Sequence, residues 1–225
     1  MKRTKQFIQS DYPLDPAIFP PISETWKAET HGCGYCSLAN CLVNLGFGVD
    51  PIIAAKKIFL DADGKLDRTY LVGNGIKYEG LIYALDRFIN EDNFSLEYYR
   101  SVVDFDNPES NRMELINNLN NGYLAIIQIG PEEVPGQPLL GHYSVISDVS
   151  EDEKFYIIDS DANMAHTHMT TPISFDFILK SMYGKRHKLN FLFVRVKKKI
   201  LVPGSMKGKI VMAEDFDAPL DDFEQ

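Results

Sequence analysis

The sequence predicts a mixed α+β domain, in which helices come first along the chain and an antiparallel sheet follows. Apolar residues recur at helical spacing in the first half, and short apolar or alternating runs bounded by polar turns fill the second half. The chain has 225 residues and 44% hydrophobic content, which is enough for one substantial core. We therefore expect one main domain over residues 1–202 and a separate tail over residues 203–225.

The first predicted helix covers residues 33–46, CGYCSLANCLVNLG, and it carries the cysteines in its first turns. Gly46 lies where a C-terminal glycine cap is expected. A second helix fits residues 51–60, with Asp50 as its N-cap and a proline at the first helical position. Residues 1–31 contain four prolines and predict an extended lead-in across the surface.

The second half is expected to form the sheet, and its clearest feature is a β-hairpin. The alternating stretches HYSVISDV (142–149) and KFYIIDSD (154–161) are separated by the polar turn SEDE. The remaining expected elements are helices over residues 81–89, 113–120 and 175–182, and strands over residues 124–129 and 190–196.

The charge distribution excludes some classes of partner. The formal net charge is −9, and six acids lie between residues 214 and 225, where there is no Lys or Arg. Such a balance does not indicate a nucleic-acid-binding face. No stretch reaches the roughly 18 consecutive apolar residues of a membrane helix, and the first residues lack a signal-peptide pattern. We therefore expect no nucleic-acid partner, no membrane association and a cytoplasmic location.

The three cysteines, Cys33, Cys36 and Cys41, fall within nine positions. An odd, clustered set is a poor disulfide framework, and it suits a reactive thiol in a reducing compartment. The two-residue gap between Cys33 and Cys36 also occurs in zinc sites, but no second pair follows it. A loop with His166 and His168 offers no obvious third ligand, so we expect no metal and no cofactor.

Cys33 is the leading candidate for a nucleophile because it lies where the predicted helix begins. Unpaired N–H groups and the macrodipole at a helix N-terminus favour a thiolate over a thiol. Gly32 and Gly34 flank the cysteine and leave room for a substrate carbonyl. The backbone N–H of Cys33 is also a candidate donor to an oxyanion.

A thiol nucleophile needs a base close in space, and His142 is the best placed of the five histidines. His142 opens the first strand of the predicted hairpin and Asp159 lies near the end of the second, so the two side chains should meet. The carboxylate would then orient the imidazole and stabilise its protonated form. Asp161 is a secondary candidate for that role.

Three segments resemble the Cys, His and Asp blocks of phytochelatin synthase. They are Cys33-Gly-Tyr-Cys-Ser-Leu, the Gly-His-aromatic-Ser segment over residues 141–144, and the apolar strand ending in Asp159. The same blocks are similar to those of double-glycine leader peptidases and other bacterial papain-like cysteine peptidases. The resemblance implies a papain-like fold, with an N-terminal helical half that packs its Cys helix on a C-terminal antiparallel sheet. It also implies a triad in which Cys33 attacks, His142 relays protons and Asp159 orients.

Two positions complicate this resemblance. In a papain-style CxxC segment the second cysteine attacks, which leaves Cys36 as an alternative nucleophile. The family usually has a Gln six residues before the nucleophile, and the side-chain amide of that Gln completes the oxyanion hole. Here the position is Lys27, which offers a mobile charge in place of a fixed amide.

The acidic tail, residues 203–225, resembles the C-terminal tails of type II antitoxins, which order around a cognate toxin. Spaced apolar residues among acids can wrap a basic groove of a partner protein, although a solvated acidic terminus explains the composition equally well.

The sequence therefore predicts a cysteine-dependent peptidase or acyl transferase that acts on a peptide or a glutathione-like amide. Hydrolysis and transfer use the same triad and are not distinguished. The alternative is an inactive papain-like binding protein whose tail docks a partner such as a toxin.

Overall fold

The computed structural model describes residues 5–15, 19, 32–72, 75–129, 142–161, 171–183 and 190–197. Within these residues the α-helices are α1 (Cys33–Asn44), α2 (Pro51–Phe59), α3 (Tyr78–Asn90), α4 (Pro108–Asn120) and α5 (Phe175–Tyr183), and a 3-10 helix covers Gln9–Asp11. The strands are β1 (Leu71–Val72), β2 (Gly75–Ile76), β3 (Leu96–Val102), β4 (Leu124–Ile129), β5 (His142–Val149), β6 (Phe155–Asp159) and β7 (Asn190–Val196).

Five of the described strands form one antiparallel sheet in the order β3–β7–β4–β5–β6, and β1 and β2 form a separate two-stranded hairpin. The neighbours β5 and β6 are the predicted hairpin, and Ser144 is paired directly with Asp159. A register shift between Ile146 and Asp148 marks a bulge at Ser147. The structure is thus a mixture of helices and an antiparallel sheet, compatible with the predicted α+β class.

Helices cover both faces of the sheet, and each face has its own buried core. On one face α1, α2 and α3 share a core with the sheet, in which Leu42 and Val145 are fully buried. On the other face α4 and α5 place Leu115 and Ile178 in a core with Phe193 of β7. Helix α1 also contacts β4, β5 and β6. The cysteine helix is therefore held against the strands that carry the predicted histidine and aspartate.

The helix caps read from the sequence are confirmed. Gly46 follows α1 with a φ of +96°, and the N–H of Phe47 donates to the carbonyl of Leu42, as in a Schellman motif. At the start of α2 the side chain of Asp50 accepts a hydrogen bond from the N–H of Ile53 at 2.8 Å.

Two features were not anticipated from the apolar pattern. Strand β3 lies at one end of the described sheet, where it pairs with β7, and its mixed charged and aromatic composition gave no clean alternation. Helix α4 begins at Pro108, before the expected residue 113, because Asn107 caps it and the proline occupies its first turn.

Several sequence predictions fall outside the described residues. They include Lys27, the tail over residues 203–225 and the lead-in apart from residues 5–15 and 19. The division into a main domain and a tail therefore stays a prediction. No helix in the described part of the chain combines the length and the apolar composition that a membrane crossing needs.

Candidate active site

Cys33 is the first residue of α1, and its side chain lies at the N-terminus of a helix that the sheet supports. The residue is 7% exposed. No described side chain caps this helix at Gly32, so no cap competes for the N–H groups of the first turn. The buried Ser37 hydroxyl donates to the carbonyl of Tyr143 at 2.7 Å. This bond ties α1 to the strand residue next to His142.

His142 and Asp159 meet as their positions on neighbouring strands require. The imidazole Nε2 lies 2.6 Å from Asp159 Oδ1, and an ionised carboxylate can only accept, so Nε2–H is the donor. The carboxylate is fully buried, and it also accepts the backbone N–H of Asp161 and the Ser144 hydroxyl, each at 2.9 Å. Asp159 is therefore fixed by hydrogen bonds on both oxygens.

The side chain of Cys33 lies near enough to the His142 imidazole to raise its pKa. Since Nε2 is engaged with Asp159, Nδ1 is the ring nitrogen that can exchange a proton with the thiol. The imidazole thus lies between the Cys33 thiol, which influences its pKa, and the Asp159 carboxylate, which it contacts directly.

The charges in this line reinforce one another. Burial lowers the pKa of His142, but its hydrogen bonds with Asp159 and Cys33 outweigh burial and raise that pKa to about 10. Burial would raise the pKa of Asp159, whereas the hydrogen bond and charge of His142 hold it below its ordinary value. Both directions favour an imidazolium beside an ionised Asp159 carboxylate at neutral pH.

The small hairpin β1–β2 approaches the start of α1 closely. A Cβ atom built on Gly34 would stand 2.7 Å from Cδ1 of Ile76, so glycine permits this contact. The hydroxyl of Tyr143 donates to the carbonyl of Ile76 at 3.1 Å. Glycine beside Cys33 therefore allows Ile76 to pack closely against the start of α1.

The alternative nucleophile, Cys36, lies in a different environment from Cys33. Its side chain is completely buried, and burial together with the nearby Cys33 raises the pKa of its thiol far above the ordinary value. Burial raises the pKa of Cys41 in the same way. A thiol held in its neutral form is a poor nucleophile, so the geometry favours Cys33.

Replacing Cys36 with Ala is expected to leave the alkylation rate of Cys33 by iodoacetamide within about twofold of wild type, because the buried thiol contributes little thiolate. The matched change, Cys33→Ala, should remove all alkylation at pH 6. Peptide mapping by mass spectrometry identifies the labelled cysteine. Label found on Cys36 in the wild-type chain would reverse the assignment.

The other predicted site residues either contribute only a backbone group or lie outside the described residues. Asp161 supports the site through its backbone N–H, and it is Asp159 that contacts the imidazole. Lys27, His166 and His168 lie outside the described residues. Among the described residues no cluster of three or more His, Cys, Asp or Glu side chains is placed to hold a metal ion.

Two supporting residues were not assigned a role from the sequence. Ser144 belongs to the Gly-His-aromatic-Ser segment, and its alternation with His142 could have placed it beside the acid. Ser37 stands among apolar helix residues, where a fully buried hydroxyl needs a partner. Both were visible only as polar residues in otherwise apolar segments.

This arrangement is chemically suited to nucleophilic attack by sulfur, with a base that is itself oriented by a buried acid. Helix N–H groups lie at the same end of α1, where negative charge on a reacting oxygen would be stabilised. No protein-family model matches the chain, and the search of curated proteins returns no significant match.

Proposed function

We propose that this chain is a cysteine-dependent peptidase or acyl transferase with a papain-like fold. The observation that carries the proposal is the His142–Asp159 hydrogen bond at 2.6 Å, with Cys33 near the same imidazole at the start of α1. A cysteine at the first residue of a helix, packed on an antiparallel sheet that supplies the base and the acid from adjacent strands, supports the papain-like assignment.

In the first half of the reaction the Cys33 thiolate attacks the carbonyl carbon of an amide. The carbonyl oxygen becomes an oxyanion, and backbone N–H groups at the start of α1 are candidate donors to it. As the oxyanion collapses, the carbon–nitrogen bond breaks and the His142 imidazolium gives its proton to the leaving amine. A thioester between the acyl group and Cys33 remains.

In the second half the neutral His142 takes a proton from water or from an acceptor amine, which attacks the thioester carbonyl. The Cys33 thiolate leaves, and the imidazolium is regenerated beside it. Water gives hydrolysis and an amine gives transfer. Asp159 keeps its charge throughout and stabilises each imidazolium state. A peptide or a glutathione-like amide is the substrate class that this chemistry and the sequence resemblance favour.

The test is the rate of Cys33 alkylation by iodoacetamide as a function of pH, in the wild type and in His142→Ala. A free thiol is only about 0.3% thiolate at pH 6. We expect the wild-type Cys33 to react well below pH 8 and the variant to lose at least about tenfold of its rate at pH 6. The midpoint of the variant's profile should move towards that of a free thiol.

A wild-type profile that matches a free thiol, and that His142→Ala leaves unmoved, would contradict the proposed function. The alternative from the sequence, an inactive binding protein whose tail docks a partner, would then take precedence. Deletion of residues 203–225 and comparison of co-purifying proteins would test that alternative.

A further inference from the structure

Residues 5–9, which we term the N-terminal strap, run between the nucleophile helix and the end of β6. The backbone of the strap forms hydrogen bonds with two asparagine side chains of α1. Two glutamines of the strap form hydrogen bonds with the backbone carbonyls of Asp159 and Ser160. It therefore contacts both halves of the candidate site, although no strap residue belongs to the triad.

On the α1 side, asparagine amides take the place of a partner strand. Asn40 accepts the N–H of Phe7 at 2.7 Å and donates to the carbonyl of Phe7 at 3.2 Å. Asn44 makes the same two bonds with Lys5, at 3.0 and 2.7 Å.

The spacing explains why this ladder fits. Four residues of helix rise about 6 Å, and two residues of extended chain rise about 6.6 Å. Asparagines four apart on a helix therefore match alternate residues of a strand. Asn40 is fully buried, so its amide needs these partners. The ladder fixes the strap at a defined place along the helix that begins with Cys33.

On the β6 side, the strap holds the backbone that carries the acid. The Gln6 amide Nε2 donates to the carbonyl of Asp159 at 2.5 Å. The backbone N–H of Gln9 donates to the carbonyl of Ser160 at 2.9 Å. Gln6 lies between the two strap residues that Asn40 and Asn44 hold, so its bond reaches the acid from a chain segment anchored on α1.

We propose that the N-terminal strap positions Asp159 relative to the nucleophile helix, with Gln6, Asn40 and Asn44 as its positioning residues. This inference rests on the proposed function, since it concerns the strength of the Cys33–His142 pair. Without the hydrogen bond from Gln6 to the carbonyl of Asp159, the carboxylate is held less firmly against the imidazole. The protonated imidazole is then less stable, and so is the Cys33 thiolate that it stabilises.

The test compares Gln6→Met with Lys5→Met in the full chain. Methionine matches glutamine in length but cannot donate to Asp159, whereas Lys5 contacts Asn44 through its backbone, which the substitution keeps. We expect Gln6→Met to slow Cys33 alkylation at pH 6 about fivefold and to shift the profile to higher pH, as the loss of one hydrogen bond implies. Lys5→Met should follow the wild-type profile.

The pH profile separates positioning from general stabilisation, because a merely structural role would lower the melting temperature and leave the profile in place. An unmoved profile in folded Gln6→Met overturns the strap proposal alone. A wild-type profile equal to that of a free thiol overturns the proposed function and this inference together. If Gln6→Met does not fold, the same alkylation profile is measured for Asn44→Ala, which removes the two hydrogen bonds to the Lys5 backbone. The same outcomes then support or overturn the strap proposal.

Discussion

Replacing Asp159 with Ala is expected to lower the free energy of unfolding by about 3 to 5 kcal/mol near pH 6, the range typical for removal of one partner of a buried ion pair. The side chain is fully buried, and it accepts hydrogen bonds from the His142 imidazole and the Ser144 hydroxyl. Alanine leaves both donors, and the backbone N–H of Asp161, without their acceptor. Urea denaturation followed by circular dichroism measures the change.

The effect of this substitution should depend on pH in a defined direction. The pKa of Asp159 is held below its ordinary value, so its carboxylate stabilises the fold above about pH 4 and that contribution is lost as pH falls through the folded-state pKa. The pKa of His142 is raised, so its contribution is complete below about pH 6.5 and is lost as pH rises towards 10. The difference in the free energy of unfolding between wild type and Asp159→Ala should therefore be largest between about pH 5 and 6.

Asp161→Ala is the matched control, because Asp161 supports the carboxylate through a backbone N–H that alanine retains. Its effect on the free energy of unfolding should be much smaller than that of Asp159→Ala. Equal losses of unfolding free energy in the two variants would be incompatible with the hydrogen-bonded His142–Asp159 pair, and so would a difference between wild type and Asp159→Ala that stays constant from pH 3 to pH 9.

The variants Cys33→Ala and His142→Ala and the double variant should all lower the rate of acyl transfer by nearly the same factor. Residues that act as one catalytic unit show strongly non-additive effects, and each loss is expected to reach about 10⁴-fold or more. An activated ester such as p-nitrophenyl acetate provides the measurement, since it reports the release of nitrophenolate without knowledge of the natural amide. Mass spectrometry should locate the acetyl group on Cys33 in the wild type.

The double variant is the internal control for this experiment. If Cys33→Ala and His142→Ala lower the rate by factors that multiply in the double variant, the two residues act independently and the thiolate–imidazolium pair is not the reacting species. Acetylation that persists at another side chain after Cys33→Ala would identify background reaction with the activated ester.

The sequence allowed prediction of the three candidate site residues better than of the residues that support them. The candidate site consists of reactive residue types at the ends of recognisable elements, namely Cys33, His142 and Asp159. Their proximity can therefore be predicted once the helix and the hairpin are identified. Gln6 and Asn40 gave no such indication, because an amide side chain is compatible with many surroundings. Their partners are backbone groups brought close by tertiary packing, which no local pattern encodes.

The secondary-structure elements show the same contrast between features set by neighbouring residues and features set by distant ones. Caps at Asp50 and Gly46 act within a few residues, and the sequence alone placed the helix ends close to their observed positions. Strand β3 depends on pairing with β7, almost a hundred residues away in the chain. The separation between Leu96 and its partner Val196 is too long for any local composition to indicate the pairing.

The bulge at Ser147 has a consequence for how this chain can vary. Side chains alternate along a strand, so a slip of one residue between β5 and β6 would turn Asp159 to the opposite face of the sheet, away from His142. The bulge and the Ser150–Lys154 backbone bond fix that alignment from the far end of the hairpin. We therefore expect insertions or deletions in this hairpin to be tolerated only where they preserve the parity of the strand, because a turn remote from Cys33 sets the alignment of His142 with Asp159.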